Sequence, residues 1–105
     1  MNDERIQKLR SMLEQDPNDS FTRYALALEY AGAADSTQAL SLFEDLLHRD
    51  PSYVPVYQQL GYLYEKLGRT SDAASMFKRG MQIAAEQGDE HARSEMQDAL
   101  ENLET

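Results

Sequence analysis

Cysteine and tryptophan are both missing from this 105-residue chain, and it holds only two histidines and three prolines. Without cysteine there is no disulfide, no thiolate nucleophile and no cysteine-ligated zinc, which suits a reducing compartment. His48 and His91 have no second imidazole at ligand spacing. His91 with Glu95 makes a single i, i+4 pair, too few ligands for a metal ion, and reads as a surface contact. Long apolar runs are also missing. No stretch approaches the ~18 residues of a membrane span, and the opening Met1-Asn2-Asp3-Glu4-Arg5 is polar and acidic. Neither a secretion signal nor an anchor is expected, and cytoplasmic localisation is the default. No strand pattern is visible, so no glycine-rich phosphate loop can follow one. Ser41 and Ser75 lie inside helical patterns without a paired base. The sequence therefore predicts no enzyme, no cofactor, no metal and no small-molecule substrate.

Basic residues are scarce. Ten lysines and arginines face 19 aspartates and glutamates, and the net charge of −9 repels phosphate backbones and anionic headgroups. Nucleic acid and membranes are excluded as expected partners. The acids are spread from Asp3 to Glu104 and read as a solvated outer face. With only Lys8, Lys66 and Lys78 as lysines, the same surface would also suit a high-salt habitat. Hydrophobic residues at 41 % and charged residues at 28 % are ordinary for a globular chain, and 12.0 kDa is enough for one domain and not two. A chain of this size buries roughly two-thirds of its unfolded surface, enough for a core without staples.

What is present is a repeat. An offset of 34 residues separates Leu26 from Leu60, Tyr30 from Tyr64, Ala39 from Ala73, Phe43 from Phe77 and the Asp-Pro step ending at Pro17 from that ending at Pro51. Between these landmarks the apolar spacing is helical. Ile6, Leu9, Met12 and Leu13 form one face of a helix over Asp3–Gln15, stopped by Asp16-Pro17. The next helix runs from Ser20 to about Gly32 with Asn18 or Asp19 as N-cap. Its partner follows the turn Gly32-Ala33-Ala34-Asp35-Ser36, capped by Asp35 or Ser36, with Ala39, Leu40, Leu42, Phe43, Leu46 and Leu47 inward. A second pair begins near Tyr53. Pro55 is tolerated at its start, and Leu67-Gly68-Arg69-Thr70-Ser71-Asp72 reads as a glycine C-cap followed by a hydroxyl N-cap. The helix from Ser71 lacks the closing proline, since Ala85 stands in the place of Pro51, and is expected to run on to Gly88. The last helix, Asp89 to Leu103, has Ala92, Met96, Ala99, Leu100 and Leu103 on one face.

Large, small and aromatic residues in this order at this period resemble the tetratricopeptide repeat (TPR) family. The residues that carry the resemblance are Leu26, Ala27, Tyr30, Ala39, Phe43, Leu46 and Pro51, then Tyr57, Leu60, Gly61, Tyr64, Ala73 and Phe77. The resemblance implies an all-α, right-handed α-solenoid of helix–turn–helix repeats with about six helices. Residues 1–17 are a partial leading repeat, 18–52 and 53–88 two repeats, and 89–105 a C-terminal capping helix. Two departures stand out. Arg23 occupies the place of Tyr57, with neighbouring Tyr24 as its expected substitute, and Gly80 replaces Leu46, which is expected to loosen that interface.

The family implies a non-catalytic scaffold that binds a peptide or helix of another protein in a concave groove lined by the first helix of each unit. Here that face offers Phe21, Tyr24 and Leu28, then Gln58, Gln59, Tyr62 and Glu65. The alternative for Phe21, Tyr24 and Leu28 is burial under the preceding helix. Family members that clamp a C-terminal carboxylate do so with basic residues and asparagine. Tyr24, Leu28, Gln58 and Tyr62 occupy those places here, so an apolar or amphipathic helix is the expected ligand instead. A second expectation of a different class is a homodimer, pairing two copies through the groove or the open face of Ile6, Leu9, Met12 and Leu13.

Overall fold

The computed structural model describes residues 3–104 and contains six helices in these residues: α1 (Asp3–Gln15), α2 (Ser20–Gly32), α3 (Ser36–Arg49), α4 (Val54–Lys66), α5 (Thr70–Gln87) and α6 (Glu90–Glu104). Met1, Asn2 and Thr105, assigned from sequence to the leading segment and the cap, lie outside the described residues. The helices group into two compact units, α1–α3 and α4–α6, divided between Pro51 and Ser52.

In the first unit α1 packs on α2, and α2 on α3. The apolar stripe of α1 is only partly covered: Ile6, Leu9 and Leu13 are half-buried and Met12 is exposed. Asp19 caps α2. Its Oδ1 accepts from the Thr22 amide at 3.3 Å and its Oδ2 from the Thr22 hydroxyl at 2.7 Å, which holds the carboxyl below its usual range. The core of the unit is Leu26, Ala27 and Tyr30 from α2 with Ala39, Phe43 and Leu46 from α3. Each large apolar side chain fully buried there contributes about 1.5–3 kcal/mol.

Arg23 corrects the sequence expectation. Tyr24 does not take over the role of Tyr57; it lies half-buried with its ring 6.2 Å from that of Phe43. Arg23 itself is buried. Its Nη1 donates to the Pro17 carbonyl at 2.6 Å, and its Nε sits 3.1 Å from Asp45 Oδ2 without the alignment of a hydrogen bond. Burial, with the charge of Arg49 beside it, lowers its pKa, and Asp45 opposes this. The guanidinium stays a cation tying the α1–α2 turn to α2, a task that no phenol could perform.

The turn after α2 shows a strained residue. Ala34 has φ 61°, the left-handed conformation that costs an L-residue about 1–2 kcal/mol. Gly68, at the same place in the repeat, has φ 79°. Both turns close alike: the Asp35 amide donates to the Tyr30 carbonyl at 2.9 Å and the Arg69 amide to the Tyr64 carbonyl at 2.8 Å. Gly32, the residue that looks like the turn former in sequence, ends the helix and leaves the left-handed position to Ala34.

In the second unit α4 packs on α5 and α5 on α6, and α4 also touches α6. Gly61 is buried, and a Cβ built there would lie 2.5–2.9 Å from ring atoms of Phe77. Phe77 is itself fully buried and has nowhere to retreat. Gly80 is a second close approach and corrects the expectation of a loosened interface. A Cβ on it would meet the Tyr57 Cβ at 2.6 Å and the Met96 thioether, so the missing side chain is what brings α4 and α6 together at α5. The departure Gly80 thus belongs with Tyr57, while its counterpart Leu46 belongs with Arg23. The expected hydroxyl N-cap of α5 is also corrected: the helix starts at Thr70, and its N-cap is Arg69, with no side-chain cap bond. The Arg69 guanidinium is engaged instead on the Tyr64 ring, 4.4 Å from its centroid, and with Asp72 at 2.9 Å. Without the closing proline α5 runs to Gln87, and Gly88 at φ 74° ends it. Ala92, Met96 and Ala99 of α6 are buried, so α6 covers the last apolar side of α5 as a cap.

Ala34→Gly is expected to stabilise the chain by about 1 kcal/mol in urea unfolding, because it removes the left-handed strain and costs less in chain entropy. Gly61→Ala is expected to destabilise by about 1–3 kcal/mol through overpacking against Phe77. Gly32→Ala, with nothing within 4 Å of its Cβ, serves as the control and should gain about 0.4–1 kcal/mol. Equal effects at Gly61 and Gly32 would contradict the close crossing.

Candidate functional site

A helix packed through one side leaves the other to solvent, and what it displays there is its available chemistry. On α2 the outward residues at i, i+3 and i+7 are Phe21, Tyr24 and Leu28. Phe21 is 68 % exposed and Leu28 37 %, so burial of these two under the preceding helix does not occur. Tyr24 lies between them, half-buried on Phe43. On α4 the stripe is Gln58, Tyr62 and Glu65. Gln59 is half-buried about a quarter-turn away. Tyr62 is 41 % exposed; its ring packs near edge-on against Phe77 at 5.5 Å, which is the geometry aromatic quadrupoles favour. Three of the five large hydrophobic side chains exposed among the described residues (Phe21, Leu28 and Tyr62) therefore belong to the expected binding set, the others being Met12 and Leu67. Phe21, Tyr24 and Leu28 share a face in the first unit, and Gln58, Tyr62 and Glu65 share one in the second.

Gln58 has a structural task beside any recognition role. Its amide nitrogen donates to the Tyr62 hydroxyl at 3.1 Å and to Glu95 Oε1 at 3.2 Å, linking α4 to α6 and fixing the phenol. His91 Nε2 lies 3.5 Å from the other oxygen of Glu95, the surface contact expected from their spacing.

Two clefts flank these helices, and sequence reasoning missed both. In the second unit a cleft of about 300 Å³ between α4 and α6 is lined by Tyr62, Glu65, Glu95, Asp98, Ala99 and Asn102. In the first, a cleft of about 370 Å³ is bounded by Leu13 and Pro17, Leu26 and Tyr30, and Leu42, with Arg10 at its polar edge. Arg10 Nε donates to the Tyr30 hydroxyl at 2.7 Å, and its guanidinium lies 5.6 Å from the ring centroid. The acids of α6 were legible in sequence as a polar face; what could not be read was that α4 places Tyr62 and Glu65 beside them. Among the described residues no group of three His, Asp or Glu side chains is arranged to hold a metal ion, and no helix is long and apolar enough to cross a membrane.

This architecture of paired helices on a 34-residue frame is that of a repeat scaffold. The family model for the tetratricopeptide repeat matches residues 1–84, and the chain belongs to that family. It is 47 % identical to a tetratricopeptide repeat domain protein of Salinibacter ruber, with a TM-score of 0.81 over 85 % of this chain and 90 % of that one. A TPR repeat-containing protein of Pseudomonas aeruginosa is 27 % identical over 99 residues, 94 % of each chain. The fold alone is shared with PcrH, solved in complex with the chaperone binding region of PopD. There the TM-score is 0.89 at 19 % identity, over 96 % of this chain and 77 % of that one.

Proposed function

We propose that this chain is a non-catalytic binding module that holds a peptide or helical segment of another protein on the outward faces of α2 and α4. The observation that carries this reading is the exposure of Phe21, Leu28 and Tyr62 in a chain that buries its other phenylalanines and most of its tyrosines. Exposed aromatics on a rigid helix make good anchors, because they bring large contact area at low entropic cost. Their positions fall on the first helix of each repeat, the helix with which members of the family meet their ligands. PcrH, which shares the fold, is solved with a segment of a partner protein. Affinity rests on burial of these rings, with few directional bonds, since Gln58 already spends its amide on Tyr62 and Glu95.

The exposure of Met12 on α1, a helix with no fully buried residue, favours a second reading in which two copies pair through that helix. Light scattering on the full chain separates the two. A mass of 12.0 kDa at all concentrations leaves the faces to a partner, and a stable dimer abolished by Met12→Ser supports pairing.

The binding reading is tested by selecting ligands from a displayed library of random short peptides. Phe21→Ala and Tyr62→Ala are each expected to weaken a selected peptide about tenfold, the effect of losing an anchor of 1–2 kcal/mol, with far-UV dichroism unchanged for Phe21→Ala. Selected peptides that bind both variants as tightly as the parent chain would overturn the reading.

A further inference from the structure

We infer that the partner segment is basic, and that the cleft between α4 and α6 receives a lysine or arginine side chain from it. This rests on the binding reading above and adds the chemistry of the ligand. The cleft is built from both helices. Tyr62 and Glu65 of α4 face Glu95, Asp98, Ala99 and Asn102 of α6 across about 300 Å³. Its aromatic wall is held in place from two sides, by the edge-on contact with Phe77 and by the Gln58 amide on the phenol oxygen.

The charges of the cleft are unbalanced in a way the rest of the chain avoids. Elsewhere Glu29, Asp45, Asp72 and Glu90 are each paired with an arginine. Among the described residues none of Glu65, Glu95 and Asp98 has an ion pair with lysine or arginine, and the one contact of this kind is His91 on Glu95, charged only when protonated. These carboxylates are not grouped to chelate a metal. They stand around an opening with an exposed phenol ring and an alanine in its wall. A long side chain with an aliphatic stem and a cationic head matches that arrangement. The stem lies along Tyr62 and Ala99, and the head meets the carboxylates and the ring face. A second copy is the wrong occupant, because two chains of net charge −9 repel each other.

The test uses the full chain and the displayed library of random short peptides. Peptides selected on the parent chain should be enriched in lysine and arginine. A selected basic peptide should bind the Glu65→Gln, Asp98→Asn double variant about tenfold more weakly, the sum of two part-exposed charge pairs. Its affinity for the parent should fall as salt is raised. Both substitutions are on exposed positions, and unchanged far-UV dichroism confirms the fold. If selected peptides show no basic enrichment, or bind the double variant undiminished while Phe21→Ala and Tyr62→Ala still weaken them, the basic-partner inference fails and the binding reading stands. If no selected peptide responds to Phe21→Ala or Tyr62→Ala either, both fail together.

Discussion

The contact on which most of this structure depends is the crossing of the two helices within a repeat, where one helix must offer almost no side chain. Gly61 does so against Phe77, and Ala27, Ala39 and Ala73, all fully buried, are the small residues of the two pairs. Close approach raises the density of van der Waals contact at the aromatic rings. It also decides orientation. With Gly61 turned to Phe77, its neighbour Tyr62 is carried to the edge of the same ring and stays partly in solvent. The exposed anchor is thus a geometric consequence of the buried crossing.

The same logic explains why the repeat tolerates its exceptions. Tyr57 is fully buried where α5 has Gly80, and Arg23 is buried in the unit whose α3 has Leu46. Large and small exchange places between the two units. Met96 then fills the space beside Gly80, so that the cap α6 is keyed to the glycine of α5. A cap of this kind covers an apolar side that a repeat array would otherwise leave open.

The helices and their ends were legible because they depend on neighbours in sequence. Proline stops at Asp16-Pro17 and Asp50-Pro51, aspartate caps at Asp19 and Asp35, and the run-on of α5 to Gly88 all follow from local chemistry. The repeat period carried the pairing of helices as well. What could not be read depends on distance across elements. Nothing local marks Ala34 as left-handed; only its register with Gly68 does. Gly80 looks like a lost leucine until Tyr57 and Met96 are seen against it, and Arg23 looks like a lost tyrosine until the Pro17 carbonyl is found on its guanidinium. Of the site, the stripes on α2 and α4 were visible as helical spacing. The exposure of Phe21 was not, because it turns on how much of α2 the short helix α1 covers. The cleft of Tyr62, Glu65, Glu95 and Asp98 was hidden for the same reason, its two walls lying some thirty residues apart.

The central claim is that the outward faces of the first helices are where this scaffold meets its partner. It is tested most directly by mapping amide chemical shifts of the labelled full chain during titration with a selected peptide. The account predicts the largest changes at Phe21, Tyr24 and Leu28 on α2 and at Gln58, Tyr62 and Glu65 on α4. Changes concentrated instead on the exposed residues of α3 and α5, with α2 and α4 silent, would contradict it.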